Sequence, residues 1–248
     1  MSETPVRIVD IAGAKARILE LAHPNPAAPD ALILVSPLVL CWAYLPTLHE
    51  LSRSFRTRVV ELPGCGASSK LSVPWSFEHY SDWLAAFIQH ESLTRPLIIG
   101  HSNSAPIALL LAAQHPHLVS ELVLCDAVGA DLTFSLPRTI LMRFFDALLE
   151  PGLTFRACWH LPYNMLRHTR NFLNQVRLSA RFDIRLFTRQ FRTPTTLAWG
   201  KRDFTMPHRC LQIYQRHIPH ARTVISETGS HDWLITNARE FAQRLTHS

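Results

Sequence analysis

Short apolar runs separated by helical stretches set the first limit on what this chain can become. β-rich runs stand at Val6–Ile11, Arg17–Leu21, Leu32–Ser36, Arg58–Leu62, Leu97–Ile99, Leu122–Cys125, Thr195–Trp199 and Arg222–Ser226. From Leu32 onward several are almost wholly apolar, the pattern of strands buried on both faces. Helical patterns fall between them, at Leu45–Phe55, Phe77–Glu91, Asn103–Gln114, Pro207–His217 and Trp233–Leu245. This alternation predicts crossover connections and a mostly parallel central sheet flanked by helices, an α/β fold. The eight glycines lie almost all at the ends of these elements, where turns need them.

The alternation stops between Asp131 and Arg192. The stretch has many aromatics and reads as helices broken by "SLP", "EPG" and "HLP". We read 131–192 as a helical insertion into a core made of 1–130 and 193–248. An insertion there would sit over the carboxyl ends of the strands, where open α/β sheets bind ligands. It holds ten arginines against four acids, a difference equal to the whole net charge of +6. Arg177, Arg181, Arg185 and Arg189 recur every fourth residue and predict a stripe along one side of a helix. Such a stripe is either a solvated face or a docking surface for an anionic acyl carrier, such as a phosphopantetheine-bearing protein or coenzyme A. The planar guanidinium suits phosphate and carboxylate. No nucleic-acid-binding motif accompanies the charge.

Hydrophobic residues make up 47% of the chain and charged residues 18%, the balance of a globular protein with a sizeable core. No apolar run is long enough to span a bilayer, and the N-terminal stretch lacks a signal-peptide pattern. Five widely spaced cysteines with no CxxC pair predict reduced thiols and a cytoplasmic protein. Fourteen histidines show neither HExxH nor paired Cys/His spacing, so no metal is expected.

One turn stands out. In "LIIGHSNSAPIALLLA", from Leu97 to Ala112, an apolar strand stops at Gly100 and a helix follows at once. Ser102 sits between them, with the small residues Gly100 and Ser104 two positions to either side. A serine so placed takes a strained conformation that lifts its hydroxyl over the sheet. The helix beginning at Asn103 points free N–H groups at the same spot. The plainer alternative is a serine that merely caps the helix. A serine hydroxyl needs a general base, and the base an orienting acid. Downstream, "WGKRD" places Asp203 just past a strand, and "ETGSHDW" places His231 just past another. All three would therefore lie on one rim of the sheet.

With these motifs the chain resembles the α/β-hydrolase superfamily over almost its full length. "GHSNS" resembles the nucleophile elbow, with serine for the usual final glycine. "ELPGCGASS", from Glu61 to Ser69, resembles the loop after the fourth strand, with Glu61 for the usual aspartate. The resemblance implies an α/β-hydrolase fold with a helical lid and no cofactor. It implies Ser102 as nucleophile, His231 as base and Asp203 as acid. Asp126, which also follows a strand, is the alternative acid.

One loop departs from the pattern. Lidded relatives carry His-Gly after the third strand, where this chain has Ser36-Pro37 in "LVSPLVLCWAY". By register the oxyanion donors would be the backbone N–H groups of Leu38 and Asn103. Val39, Trp42, Phe144 and Trp159 are expected to line an apolar substrate pocket. The implied activity is hydrolysis of a carboxylic ester or thioester. An acyltransferase or lyase on the same triad is an alternative, as is a ligand-binding protein with vestigial hydrolysis.

Overall fold

In a computed structural model, residues 5–130, 135–186 and 192–246 are described. The chain runs β1 (Val6–Ile11), β2 (Ala14–Leu21), β3 (Asp30–Leu34), α1 (Leu45–Leu51), β4 (Arg56–Glu61), α2 (Phe77–His90), β5 (Leu97–His101) and α3 (Ala105–Gln114). It continues through β6 (Glu121–Cys125), α4 (Leu136–Leu149), α5 (Pro151–Ala157), α6 (His160–Arg167) and α7 (Thr169–Arg181). It ends with β7 (Thr195–Gly200), α8 (His208–His217), β8 (Arg222–Ser226), α9 (Trp233–Thr236) and α10 (Ala238–Thr246). Each apolar run read as a strand is a strand. The helix expected over Trp233–Leu245 breaks at Asn237, whose φ of −115° and ψ of 41° are not helical.

The eight strands form one sheet in the order β1-β2-β4-β3-β5-β6-β7-β8. β2 pairs antiparallel with β1 and β4, and every later pairing is parallel. Both faces are covered, which is why the central strands are apolar throughout. Leu32, Leu34, Ile98, Leu122 and Leu124 point to the side packed by α2, α3 and α8. Ala31, Ile33, Leu97, Ile99 and Val123 point to the other side, packed by α1, α9 and α10. α3 lies against β5 so closely that Ala105–Ala112 are all buried.

α4 to α7 lie between β6 and β7, where the sequence breaks its alternation. Asp131 and Arg189, at or near the edges of that stretch, lie outside the described residues. The arginine stripe is interrupted. α7 stops at Arg181 because Phe182 turns extended, at φ −67° and ψ 131°. Arg185 belongs to a separate short turn, Ile184–Leu186, and its Nε lies 2.7 Å from Asp183. No helix among the described residues is long and apolar enough to cross a membrane.

Candidate active site

Ser102 leaves β5 with φ +52°, a left-handed conformation that is costly for a side chain and recurrent at functional turns. The neighbours make the turn possible. A Cβ at Gly100 would stand 2.7 Å from Ala108 Cβ and 2.8 Å from the Ala105 backbone, so strand and helix approach too closely for any side chain. Ser104 replaces the usual glycine because its hydroxyl has a task. Its Oγ accepts from His101 N at 3.0 Å and donates to Leu34 O at 2.8 Å, stitching the turn to β3.

His231 reaches the serine from the loop after β8. Its Nε2 lies 2.9 Å from Ser102 Oγ and its Nδ1 lies 2.8 Å from Asp203 Oδ2. Asp203 Oδ1 accepts from Met206 N at 2.6 Å, which fixes the carboxylate. With Nδ1–H donated to the carboxylate, Nε2 is left to accept the serine proton. Burial is the largest influence on the His231 pKa and lowers it, but the Asp203 charge and hydrogen bond together with the Asp232 charge outweigh it, so the net shift is upward.

Asp126 lies beside Asp203 rather than against His231. Its Oδ1 accepts from Gly200 N at 2.9 Å, and Cys125 Sγ lies 3.2 Å from its Oδ2. Burial, and then the Asp203 charge, raise its pKa well above the usual carboxylate range. His231 therefore turns to Asp203 rather than to Asp126.

Leu38 and Asn103 both line the small cavity, about 60 Å³, that holds Ser102 and His231. Leu38 N makes only a long 3.5 Å contact with Ser36 Oγ, and Asn103 N lies in the first turn after the strand, where helical N–H groups lack partners. Pro37 costs the loop no donor, because the N–H in question is one residue later.

Beneath the serine a buried relay joins the Ser36 loop to the His231 loop. Ser36 N lies 3.4 Å from Tyr44 Oη, Tyr44 Oη lies 2.9 Å from His101 Nδ1, and His101 Nε2 donates to His231 O at 3.0 Å. Burial holds the His101 pKa at about 4, so the ring stays neutral.

The sequence missed the contribution of α4. Arg143 and Asp146 of α4, and Glu150 just past its end, are spaced by three and four residues and turn inward. Arg143 Nη2 lies 2.7 Å from Asp232 Oδ2, beside His231. Asp146 accepts from Phe204 N at 2.9 Å and Thr205 N at 3.1 Å, holding the loop after Asp203. Glu150 accepts from Ser230 Oγ, and from Thr236 Oγ1 at 3.3 Å. Burial pushes the Glu150 pKa to about 7. One helix face thus grips both the acid loop and the histidine loop. The three charges at this spacing were the available signal. Asp146, Asp203 and His231 bring ligand-type atoms within 4.8 Å of one another. The protein's own N–H groups already occupy the aspartate oxygens, so the trio is a hydrogen-bonded support.

The expected lining of the pocket is corrected. Val39, Trp42, Phe144 and Trp159 do not line the Ser102 cavity. Val39 is buried in the core, and its carbonyl accepts from Asn164 Nδ2 at 3.3 Å. Phe144 is 57% exposed and packs edge-on against Phe145. Trp42 and Trp159 line a separate cavity of about 800 Å³ with Leu149, Glu150, Ser230 and Ile235. The helices between β6 and β7 turn polar residues toward the core and leave much of their apolar surface outside, so Thr139, Arg143 and Ser179 are what they place over Ser102, in a cavity whose surface is otherwise mostly apolar.

Comparison with known proteins agrees with this fold. A protein of Serratia proteamaculans (strain 568) named "Putative carbamate hydrolase RutD" is 25% identical over 250 residues, covering 91% of this chain and 92% of its own. The enol-lactonase of Burkholderia xenovorans LB400 superposes with a TM-score of 0.80 at 17% identity, covering 97% of this chain and 98% of its own. A serine hydrolase involved in carbazole degradation (CarC enzyme) superposes with a TM-score of 0.81 at 18% identity, covering 98% of each chain. The family model described as the alpha/beta hydrolase fold matches residues 38–186, more than half of the sequence and the part that carries Ser102. With that match, the sheet order and the serine turn between β5 and α3, the chain belongs to the alpha/beta hydrolase family.

Proposed function

We propose that the protein hydrolyses a small carbonyl substrate, a carboxylic ester, thioester or carbamate, through an acyl-enzyme on Ser102. The observation that carries this reading is the single imidazole bridging Ser102 Oγ at 2.9 Å and Asp203 Oδ2 at 2.8 Å. Ser102 Oγ attacks the carbonyl carbon as His231 Nε2 takes its proton. The carbonyl oxygen becomes an oxyanion that accepts from Leu38 N–H and Asn103 N–H. His231 returns the proton to the leaving alcohol, thiol or amine as its bond to carbon breaks. Water then attacks the acyl-enzyme, gives a proton to His231, and releases the acid as Ser102 regains its hydrogen.

Asp203 orients His231 and stabilises its charged form, consistent with the upward pKa shift. The segment 131–192 serves as a lid, a reading supported by the α4 and α7 residues that face the Ser102 cavity. The carbamate enters from the name of the Serratia proteamaculans relative. The test is intact-mass labelling with a fluorophosphonate beside a p-nitrophenyl ester series. A single adduct on Ser102, with turnover lost in Ser102→Ala, is the expected result. Equal turnover and no adduct in both proteins would overturn the assignment.

A further inference from the structure

The Ser102 cavity is mostly apolar, but the residues that α4 and α7 place over it are polar. Thr139 and Arg143 from α4 and Ser179 from α7 face Leu38, Ser102 and Asn103 across it. Two of these roof residues carry polar atoms that are buried and have no hydrogen-bond partner among the described residues, Arg143 Nη1 and Ser179 Oγ. Leaving such a group unpaired costs roughly 1–3 kcal/mol, and more when it is charged. They come from different helices, yet both line the same small volume beside the nucleophile.

The charge pattern gives the missing partner a sign. Apart from His231, Arg143 is the one ionisable side chain among the described residues lining this cavity. Asp146, Asp203 and Asp232 lie nearby, but none lines it. Each is occupied from behind: Asp203 by Met206 N and His231, Asp146 by Phe204 N and Thr205 N, Asp232 by Arg143 Nη2. The guanidinium charge is delocalised, so binding Asp232 through Nη2 leaves Nη1 a charged donor. Two donors, one charged and one hydroxyl, match the two oxygens of a carboxylate.

We propose that Arg143 Nη1 and Ser179 Oγ form a carboxylate-recognising subsite, so the acyl group of the substrate carries a carboxylate close to the carbonyl that Ser102 attacks. This rests on Ser102 as the nucleophile. The cavity volume of about 60 Å³ restricts the acyl group to a short one. At roughly 15 Å³ per water-sized group it has room for about four such groups.

The test compares two esters of the same shape. Mono-p-nitrophenyl succinate carries a carboxylate where p-nitrophenyl 4-methylpentanoate carries an isopropyl group. The wild-type protein should favour the succinate in kcat/KM by about 100-fold, the size of a charged hydrogen bond. In Arg143→Met that ratio should collapse toward one, and in Ser179→Ala it should fall about tenfold. Ser179→Ala leaves the Arg143–Asp232 pair intact, so it keeps the test open if Arg143→Met fails to fold. Equal rates on the two wild-type esters, or a ratio that neither variant changes, would overturn the subsite. A separate arm measures succinate binding to Ser102→Ala by calorimetry. Binding that Ser179→Ala weakens in that background, without fluorophosphonate labelling of the wild type, would sink the hydrolase reading and keep the subsite. Labelling without succinate preference or binding would do the reverse.

Discussion

In the sheet, Leu32, Ile33 and Leu34 are buried on both faces by α2 and α3 on one side and α1 and α10 on the other. In the helices between β6 and β7 the order is reversed. There Asp146, Asn164, Asn171 and Gln175 are buried, while Phe155 and Leu166 are 85% and 84% exposed. The inward polar groups have work at the rim of the sheet. Asn164 Oδ1 accepts from Gly66 N at 2.7 Å, His168 Nε2 donates to Gly66 O at 2.9 Å, and Asn171 Nδ2 donates to Gly64 O at 2.9 Å. Gly66 N, Gly66 O and Gly64 O all belong to the loop after β4. Side chains from above satisfy them. A sheet core is held by area removed from water, whereas this upper layer is held on its inner face by hydrogen bonds to loops. Those are the loops that carry the candidate site.

The contrast can be broken, beginning with the largest effect. Asp203→Asn keeps the shape but leaves His231 without a carboxylate, and should lower kcat by about 10⁴-fold with little change in melting temperature. Ile33→Ala, in the fully buried sheet, should cost about 2–5 kcal/mol in urea denaturation. Asn164→Ala should cost less, about 1–3 kcal/mol, by leaving Gly66 N and Val39 O unpaired. If Asn164→Ala proved neutral, the inner face would not be held by these bonds. Phe155→Ser, on the outer face, should change stability by no more than about 0.5 kcal/mol.

Glu150 sharpens the comparison through pH. Burial raises its pKa from 4.5 to about 7 in the folded protein. Between those values the folded state holds a proton that the unfolded chain has released, so stability falls as pH rises through this window. Glu150→Gln should remove that component, seen as a flatter denaturation midpoint between pH 5 and about 7. A wild-type profile no steeper than the variant's would show that Glu150 ionises normally.

Much of the fold was legible because local pattern and burial agree there. The apolar runs that became β3, β5, β6 and β7 could be buried on both faces in only one way, as central strands of a covered parallel sheet. The site was legible in part for the same reason, since Ser102, Asp203 and His231 each follow a strand. The roof was not legible. Helical spacing in α4 shows two faces, but it does not say which one turns inward. An apolar face is the ordinary choice, which is why Phe144 and Trp159 were expected in the pocket.

The sequence by itself determined the alternating elements, the serine turn and the order serine, acid, histidine along the chain. These follow from hydrophobic period and from the small residues a tight turn requires. Only the tertiary structure decided that His231 pairs with Asp203 while Asp126 is turned to Gly200 N, and that Arg143 and Ser179 both line the cavity over Ser102. Those outcomes depend on distances between residues far apart in the chain. There, the partner that lies within hydrogen-bond reach decides which buried group is charged and which donor is left free.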